Sequence, residues 1–318
     1  MLSSMPQVGF GLWKIAREET ADTVIEAVRA GYRHFDSAAD YANEEETGDG
    51  LKRAMAEGLT ARDELWITSK LWNTHHAPEH VEEACRKTLG DLKIECLDLY
   101  LIHFPIALKH VAIEDRYPPE WIADPGAANP RMERARVPLH ETWAAMEALV
   151  EKGLTRRIGV CNYNSALLHD LMSYAKVPPA MLQIEAHPYL SQERLVRLAG
   201  DYGVPVTAFS PLGAQSYFEL GMANEHESLL NAAPVCAAAE AHGKTPAQVL
   251  LRWGVQRGTA VIPKTSKPER MRENIDIFDF QLTDAEMAAI SALNLNRRFN
   301  DPGAFTEQAF GTFHPIYD

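Results

Sequence analysis

The sequence predicts an α/β fold, a (β/α)8 barrel in a single domain, and three observations carry that reading. Eight short β-type runs alternate with stretches of helical periodicity along 318 residues. Alternation of this kind builds a parallel sheet with right-handed crossovers, and a chain of this length accommodates a closed barrel. The rival doubly wound sheet would carry a Gly-x-Gly-x-x-Gly turn after its first strand. Here Gly9-Phe10-Gly11 is followed by Lys14 where the third glycine belongs.

The elements follow in order. Val8–Trp13 reads as the first strand, and residues 18–30 place Thr20, Thr23, Val24, Ala27 and Val28 at helical spacing before the stop at Gly31. His34–Ala38 is the second strand, followed by a helix from Glu44 to Glu57. Leu65–Lys70 is the third, followed by a helix from Pro78 to Leu89 closed by Gly90; Leu97–Phe104 is the fourth. Residues 105–137 break the rhythm with five prolines, as a functional loop or a disordered segment does. Helical spacing resumes at Leu139. The strands Arg157–Cys161, Met181–Glu185, Val204–Ser210 and Thr259–Pro263 complete the eight. Helices separate them at 165–175, 191–202 and 234–257, the last broken near Gly243-Lys244-Thr245-Pro246. Residues 268–278 and 283–293 are helical too, the second opened by a capping box, Thr283 with Glu286. The segments 213–232 and 296–318 read as further loops, the latter irregular and rich in aromatics.

Composition narrows the function classes. Hydrophobic and charged fractions of 46% and 24% are those of a globular protein. A net charge of −13 argues against nucleic acid or an anionic membrane as partner, so any anionic ligand needs local cations. Cys85, Cys96, Cys161 and Cys236 have neither metal-type spacing nor disulfide density, and no metal is expected. With no signal-peptide pattern and no apolar run of membrane length, the expected compartment is the cytoplasm.

Titratable residues close three apolar strands. Asp36 ends the second, with Tyr41 five residues on; Lys70 ends the third and His103 the fourth. Such groups are costly at those positions unless paired. In a barrel they converge on one rim. An ammonium beside a phenol lowers its pKa, a carboxylate holds the ammonium, and a histidine can orient a carbonyl oxygen. Together they describe a proton donor for a carbonyl that receives hydride. Singly, each has an ordinary explanation as a cap, packing residue or satisfied core group; Lys70 is the hardest to explain so.

The segments Gly31–Tyr41, Ile67–Trp72 and Leu99–His103, with Gly159–Asn164, Gln183–Pro188 and Ile262–Lys264, resemble those of the aldo-keto reductases over nearly the whole chain. The resemblance implies a nicotinamide dinucleotide, NADPH or NADH, lying extended across the rim. Tyr41 would be the acid, tuned by Lys70 and Asp36, with His103 orienting the carbonyl. Asn162 and Gln183 would meet the nicotinamide carboxamide beside Cys161, and Phe209 would stack on the ring. Ser210, Leu212, Gln215 and Ser216 would continue the cofactor wall. Lys264, Thr265, Ser266 and Arg270 would grip a 2′-phosphate, and Glu273 and Asn274 the adenine. Gln215–Glu219 resembles the xylose reductase branch, where Glu219 would accept from ribose hydroxyls, which implies use of both cofactors. Trp13, Asp40, Trp72, Phe104 and Asn300 match that branch's substrate positions, with Asp40 and Asn300 bonding sugar hydroxyls.

The implied activity is reduction of aldehydes and aldoses to alcohols and polyols, D-xylose to xylitol foremost, by an enzyme able to form a homodimer. Two rivals share the fold. A sugar-phosphate reductase would use Lys109, Arg116 and Arg131; a cofactor-binding module similar to potassium-channel β-subunits would turn over little. Only Met1–Pro6 precede the first strand, so the β-hairpin that plugs such barrels is expected to be shortened or missing.

Overall fold

The computed structural model describes residues 5–317. Among them are eight strands: β1 (Phe10–Gly11), β2 (His34–Asp36), β3 (Trp66–Leu71), β4 (Leu99–Ile102), β5 (Ile158–Cys161), β6 (Leu182–Glu185), β7 (Val206–Phe209) and β8 (Ala260–Val261). They pair in parallel in sequence order. The first and last strands also meet. Gly9 N donates to Val261 O at 2.8 Å, Val261 N to Gln7 O at 2.8 Å and Gly11 N to Pro263 O at 3.0 Å. A Cβ on Gly11 would lie 2.9 Å from the Ile262 carbonyl oxygen, so this junction is too tight for any side chain. The arrangement matches a (β/α)8 fold.

Helices α1 (Arg17–Arg29), α2 (Glu44–Ala56), α3 (Pro78–Leu92), α4 (Leu139–Glu151), α5 (Ser165–Tyr174) and α6 (Glu193–Asp201) follow the first six strands. The pair α7 (Ala233–His242) and α8 (Pro246–Gln256) follows β7; α9 (Pro268–Ile275), α10 (Asp284–Ser291) and α11 (Pro302–Phe310) follow β8. Strand residues such as Phe35, Ile67 and Ile102 pack against Val24, Leu51 and Leu89 of the helices in the main core. A smaller core cluster holds Trp66, Leu99, Leu101, Cys161 and Met181, with Met5 packed against it. The expected loss of the plugging hairpin rests partly on residues 1–4, which lie outside the described residues.

Several boundaries differ from the sequence reading. Gly90 does not end α3, which runs to Leu92 and closes at Lys93 in the left-handed conformation, φ 58°. The break at 243–246 is real: Gly243 turns left-handed and the Thr245 hydroxyl accepts from Gln248 N, capping α8. The Thr283–Glu286 capping box opens α10 as expected. The tail is not wholly irregular, because α11 forms within it; Asp301 accepts from Gly303 N and Pro302 takes the first turn. Residues 105–137 hold no regular helix or strand, only isolated bridges at Leu108–Arg134 and Ile122–Arg131. They are packed rather than loose: Leu108, Trp121 and Met132 form one cluster with Trp72 and Phe104. No described helix is long and apolar enough to cross a membrane.

Candidate active site

The side chains singled out at three strand ends come together. Lys70, in β3, is 1% exposed, and its ammonium uses three protein acceptors. Nζ donates to Asp36 Oδ1 at 2.6 Å, to the Ser37 carbonyl at 2.7 Å and to the Tyr41 hydroxyl at 3.0 Å. Tyr41 reaches it from the short turn Ala39–Tyr41 after β2. The His103 ring stands edge-on to the Tyr41 ring, centroids 6.0 Å apart. Behind His103, Trp72 presents its edge at 5.4 Å.

Electrostatics set the protonation states. Burial pulls the Lys70 ammonium toward neutrality, but the charges of Asp36 and then Tyr41 outweigh it, and its pKa is raised. Burial pushes the Tyr41 phenol up; Lys70 opposes this without reversing it. The lowering expected from the ammonium is therefore present but is not the net result, and Tyr41 keeps its proton. Burial, then Lys70 and His76, hold His103 well below the ordinary imidazole value, so it is neutral. Its Nδ1 has no hydrogen-bond partner among the described residues.

These groups open into a cleft of about 700 Å³, a size that suits a substantial organic ligand. Of the expected cofactor positions, Asn162, Gln183, Phe209, Ser210, Leu212, Gln215, Ser216 and Lys264 line it. Both amides are already engaged. Gln183 Nε2 donates to Asp36 Oδ2 at 2.6 Å; Asn162 Nδ2 donates to the His103 carbonyl at 2.8 Å and its Oδ1 accepts from the Tyr317 hydroxyl at 2.8 Å. Cys161 is 1% exposed and packs in the cluster with Trp66 and Met181, and it is not among the residues that line the cleft. Glu219 crosses the cleft mouth to pair with Lys14, whose Nζ also donates to the Ser216 carbonyl at 2.7 Å. Thr265, Ser266, Arg270, Glu273 and Asn274 lie beyond the cleft lining. Thr265 Oγ1 accepts from Lys267 N at 3.1 Å, Glu273 accepts from Thr245, and Asn274 is buried.

Among the expected substrate positions, Trp13, Asp40, Phe104 and Asn300 line the cleft, but Trp72 does not. It is 0% exposed, donates from Nε1 to the Glu120 carbonyl at 3.0 Å, and supports His103 and Phe104 from behind. Its place on the wall is taken by Trp121 from the long loop, joined by Phe305 and Phe310 of α11. Asn300 is set by Glu185, the last residue of β6. The buried carboxylate accepts from Phe299 N at 2.8 Å and Asn300 N at 2.9 Å, tying the tail to the barrel. Tyr217 stacks on Phe299 and meets the Trp13 ring at a tilt. Sequence reasoning missed Trp121, Phe305, Phe310, Tyr317 and the Glu185 clamp, all of which depend on long-range packing. One local signal was available only in the backbone: Lys14, Ala42, Asn162 and Ser210, close after β1, β2, β5 and β7, all have positive φ.

The donor set fits a nicotinamide dinucleotide. At the inner end are two amides and a flat aromatic face; Lys14 and Lys264 line the same cleft. Buried atoms of the lining residues, His103 Nδ1, Asp40 Oδ1 and Asn300 Oδ1, find no protein partner among the described residues and are available to a ligand.

The chain belongs to the aldo/keto reductase family, whose pattern matches residues 7–295. It is an oxidoreductase of that family. Among its relatives, the "probable NAD(P)H-dependent D-xylose reductase xyl1" of Aspergillus clavatus is 50% identical, over 98% of this chain and 96% of that protein. The protein of the same description from Arthroderma otae is 51% identical over 99% of this chain and 94% of its own length. Among solved structures, the aldose reductase of Schistosoma japonicum superposes with a TM-score of 0.85 at 37% identity, covering 99% of this chain and 97% of that one.

Proposed function

We propose that this protein reduces the open-chain aldehyde of aldose sugars to polyols with NADPH or NADH, D-xylose to xylitol foremost. The observation that carries the reading is the buried Lys70 bonded at once to Asp36 and Tyr41 at the floor of a cleft with free polar groups. The relatives described as D-xylose reductases support the choice of sugar.

The dinucleotide, when bound, supplies hydride to the carbonyl carbon. Tyr41 donates its proton to the carbonyl oxygen, and Lys70 stabilises the phenolate as it forms, itself held charged by Asp36. Neutral His103 donates a ring N–H to the same oxygen and fixes its direction. Asp40 and Asn300 bond sugar hydroxyls; Trp13, Phe104 and Trp121 exclude water. Asn162 and Gln183 hold the carboxamide, Phe209 stacks on the ring, and Ser210, Leu212, Gln215 and Ser216 extend the wall. Lys264, Thr265, Ser266 and Arg270 take a 2′-phosphate, Glu273 and Asn274 the adenine, and Glu219 a free ribose hydroxyl. This reading treats residues 1–318 as one closed barrel domain with 105–137, 213–232 and 296–318 as rim loops, working in the cytoplasm, with a homodimer as the assembly to test.

The sugar-phosphate alternative is less well supported. Lys109 pairs with Glu133, Arg116 donates to the Pro119 carbonyl and Arg131 to the Gly311 carbonyl, and none lines the cleft. Steady-state assays with D-xylose, mannose 6-phosphate and simple aldehydes, each with both cofactors, test the assignment. Turnover of xylose is expected, and absence of turnover on every aldose and aldehyde would overturn it.

A further inference from the structure

A second cluster of ligand-type side chains lies outside the cleft, where the root of the long loop meets α3 and the turn after β3. We propose that His75, Glu83 and His110 form a binding site for a zinc-type divalent metal ion, stapling the loop to the barrel.

One ligand atom from each of the three residues lies within 4.8 Å of the others. His110 Nε2 and Glu83 Oε1 are already 3.4 Å apart. Zinc–nitrogen and zinc–oxygen bonds of about 2.0–2.2 Å place tetrahedral ligand pairs roughly 3.4 Å apart, so only a modest closing is needed. His110 lies on the loop, and its buried Nε2 has no hydrogen-bond partner among the described residues.

His75 is 0% exposed. Its Nδ1 is 2.9 Å from the Thr74 hydroxyl, while Nε2 has no partner among the described residues. A ring that donates Nδ1–H to Thr74 keeps its lone pair on Nε2, the arrangement of a metal-binding histidine oriented by a neighbouring group. His80 completes the surroundings. It stacks flat on His110, centroids 3.5 Å apart, and its Nδ1 lies 2.9 Å from Glu83 Oε1. His75 in turn stands edge-on to His110 at 5.0 Å.

Two imidazoles and a carboxylate suit zinc, nickel or copper better than calcium or magnesium. Three protein ligands leave one position for water. The absence of metal-type cysteine spacing, read from the sequence, does not touch this set, because its members come from three separate segments. The loop it would fasten carries Glu120 and Trp121, which line the cleft.

The test uses the full chain with any histidine tag removed. Protein stripped with EDTA is titrated with Zn²⁺ by calorimetry, and metal retained after dialysis is counted by mass spectrometry. One equivalent per chain is expected, with a rise of a few degrees in Tm at saturating metal. Two variants away from the cleft, His110→Ala and Glu83→Gln, should each lower affinity at least tenfold and cancel the Tm shift. With Co²⁺ in place of Zn²⁺, wild-type protein should give the visible absorption of a four-coordinate site and His110→Ala should not. No saturable equivalent, or equal binding by wild type and both variants, would overturn the proposal.

Discussion

Asp40 and Tyr41 are neighbours in sequence, and both hold their protons at neutral pH for one main reason, burial. For Asp40, desolvation first and Glu120 second push the carboxyl up to about 8, against the pull of Lys70. As a neutral acid it can donate to a sugar hydroxyl as well as accept from one. The sign of the stability effect follows. Between the ordinary carboxyl value and about 8, the folded chain keeps a proton that the unfolded chain has lost, so stability falls as pH rises through that window. Asp40→Asn should remove this slope; urea unfolding of both proteins at pH 5 and pH 8 measures it, and equal slopes would show that Asp40 does not titrate so high. Tyr41→Phe should reduce turnover by about 10³-fold while leaving cofactor affinity within about twofold, as measured by steady-state rates and by fluorescence titration. Activity retained in that variant would remove the phenol from the mechanism. The buried Lys70–Asp36 pair adds little net stability; what it does is hold the ammonium against the Tyr41 hydroxyl.

The elements divide into those that local pattern announces and those that only packing decides. Strand alternation, the α10 capping box and the break between α7 and α8 rest on neighbours a few residues apart, and all were legible. So were Asp36, Lys70 and His103, because a titratable group closing an apolar strand is anomalous wherever the strand goes; Tyr41 was legible from its place just after Asp36 and from the family resemblance. Trp72 was misplaced because an aromatic at a strand end looks the same from the sequence whether it faces a cleft or supports one. The wall residues Trp121, Phe305 and Phe310 come from a long loop and from a tail helix with a weakly patterned apolar face; nothing local aims them. Gly90 looked like a stop but has a helical backbone, and Lys93 took the left-handed closing position instead. The segment 213–232 shows what such contacts do: through Ser216 and Glu219 it is fastened to Lys14 across the cleft mouth. An ion pair with this much exposure contributes about 1 kcal/mol at most. Lys14→Met should therefore speed NADPH dissociation by about threefold to fivefold, read by stopped-flow fluorescence. An unchanged rate would mean that the strap does not gate release.

At the scale of the whole molecule, the closing seam between β1 and β8 decides whether the sheet is a ring or an open sheet. Gly11 sits in that seam with the Ile262 carbonyl oxygen 2.9 Å from where a Cβ would be. Gly11→Ala should destabilise the fold by about 2 kcal/mol, seen as a lowered urea midpoint with an unchanged slope; a neutral substitution would show that the seam can open. The chain is strongly acidic, net −13, so any attraction for a multiply charged dinucleotide comes from the few cations at the cleft, Lys14 and Lys264, and not from the general field. The tail has a practical consequence of its own. Its Tyr317 hydroxyl rests on the amide of Asn162, with the Arg298 guanidinium over its ring. Loss of that hydroxyl would thus release the amide that we assign to the nicotinamide carboxamide. Tyr317→Phe should therefore weaken dinucleotide binding several-fold in a fluorescence titration, and unchanged affinity would show that the tail does not brace this side of the cleft.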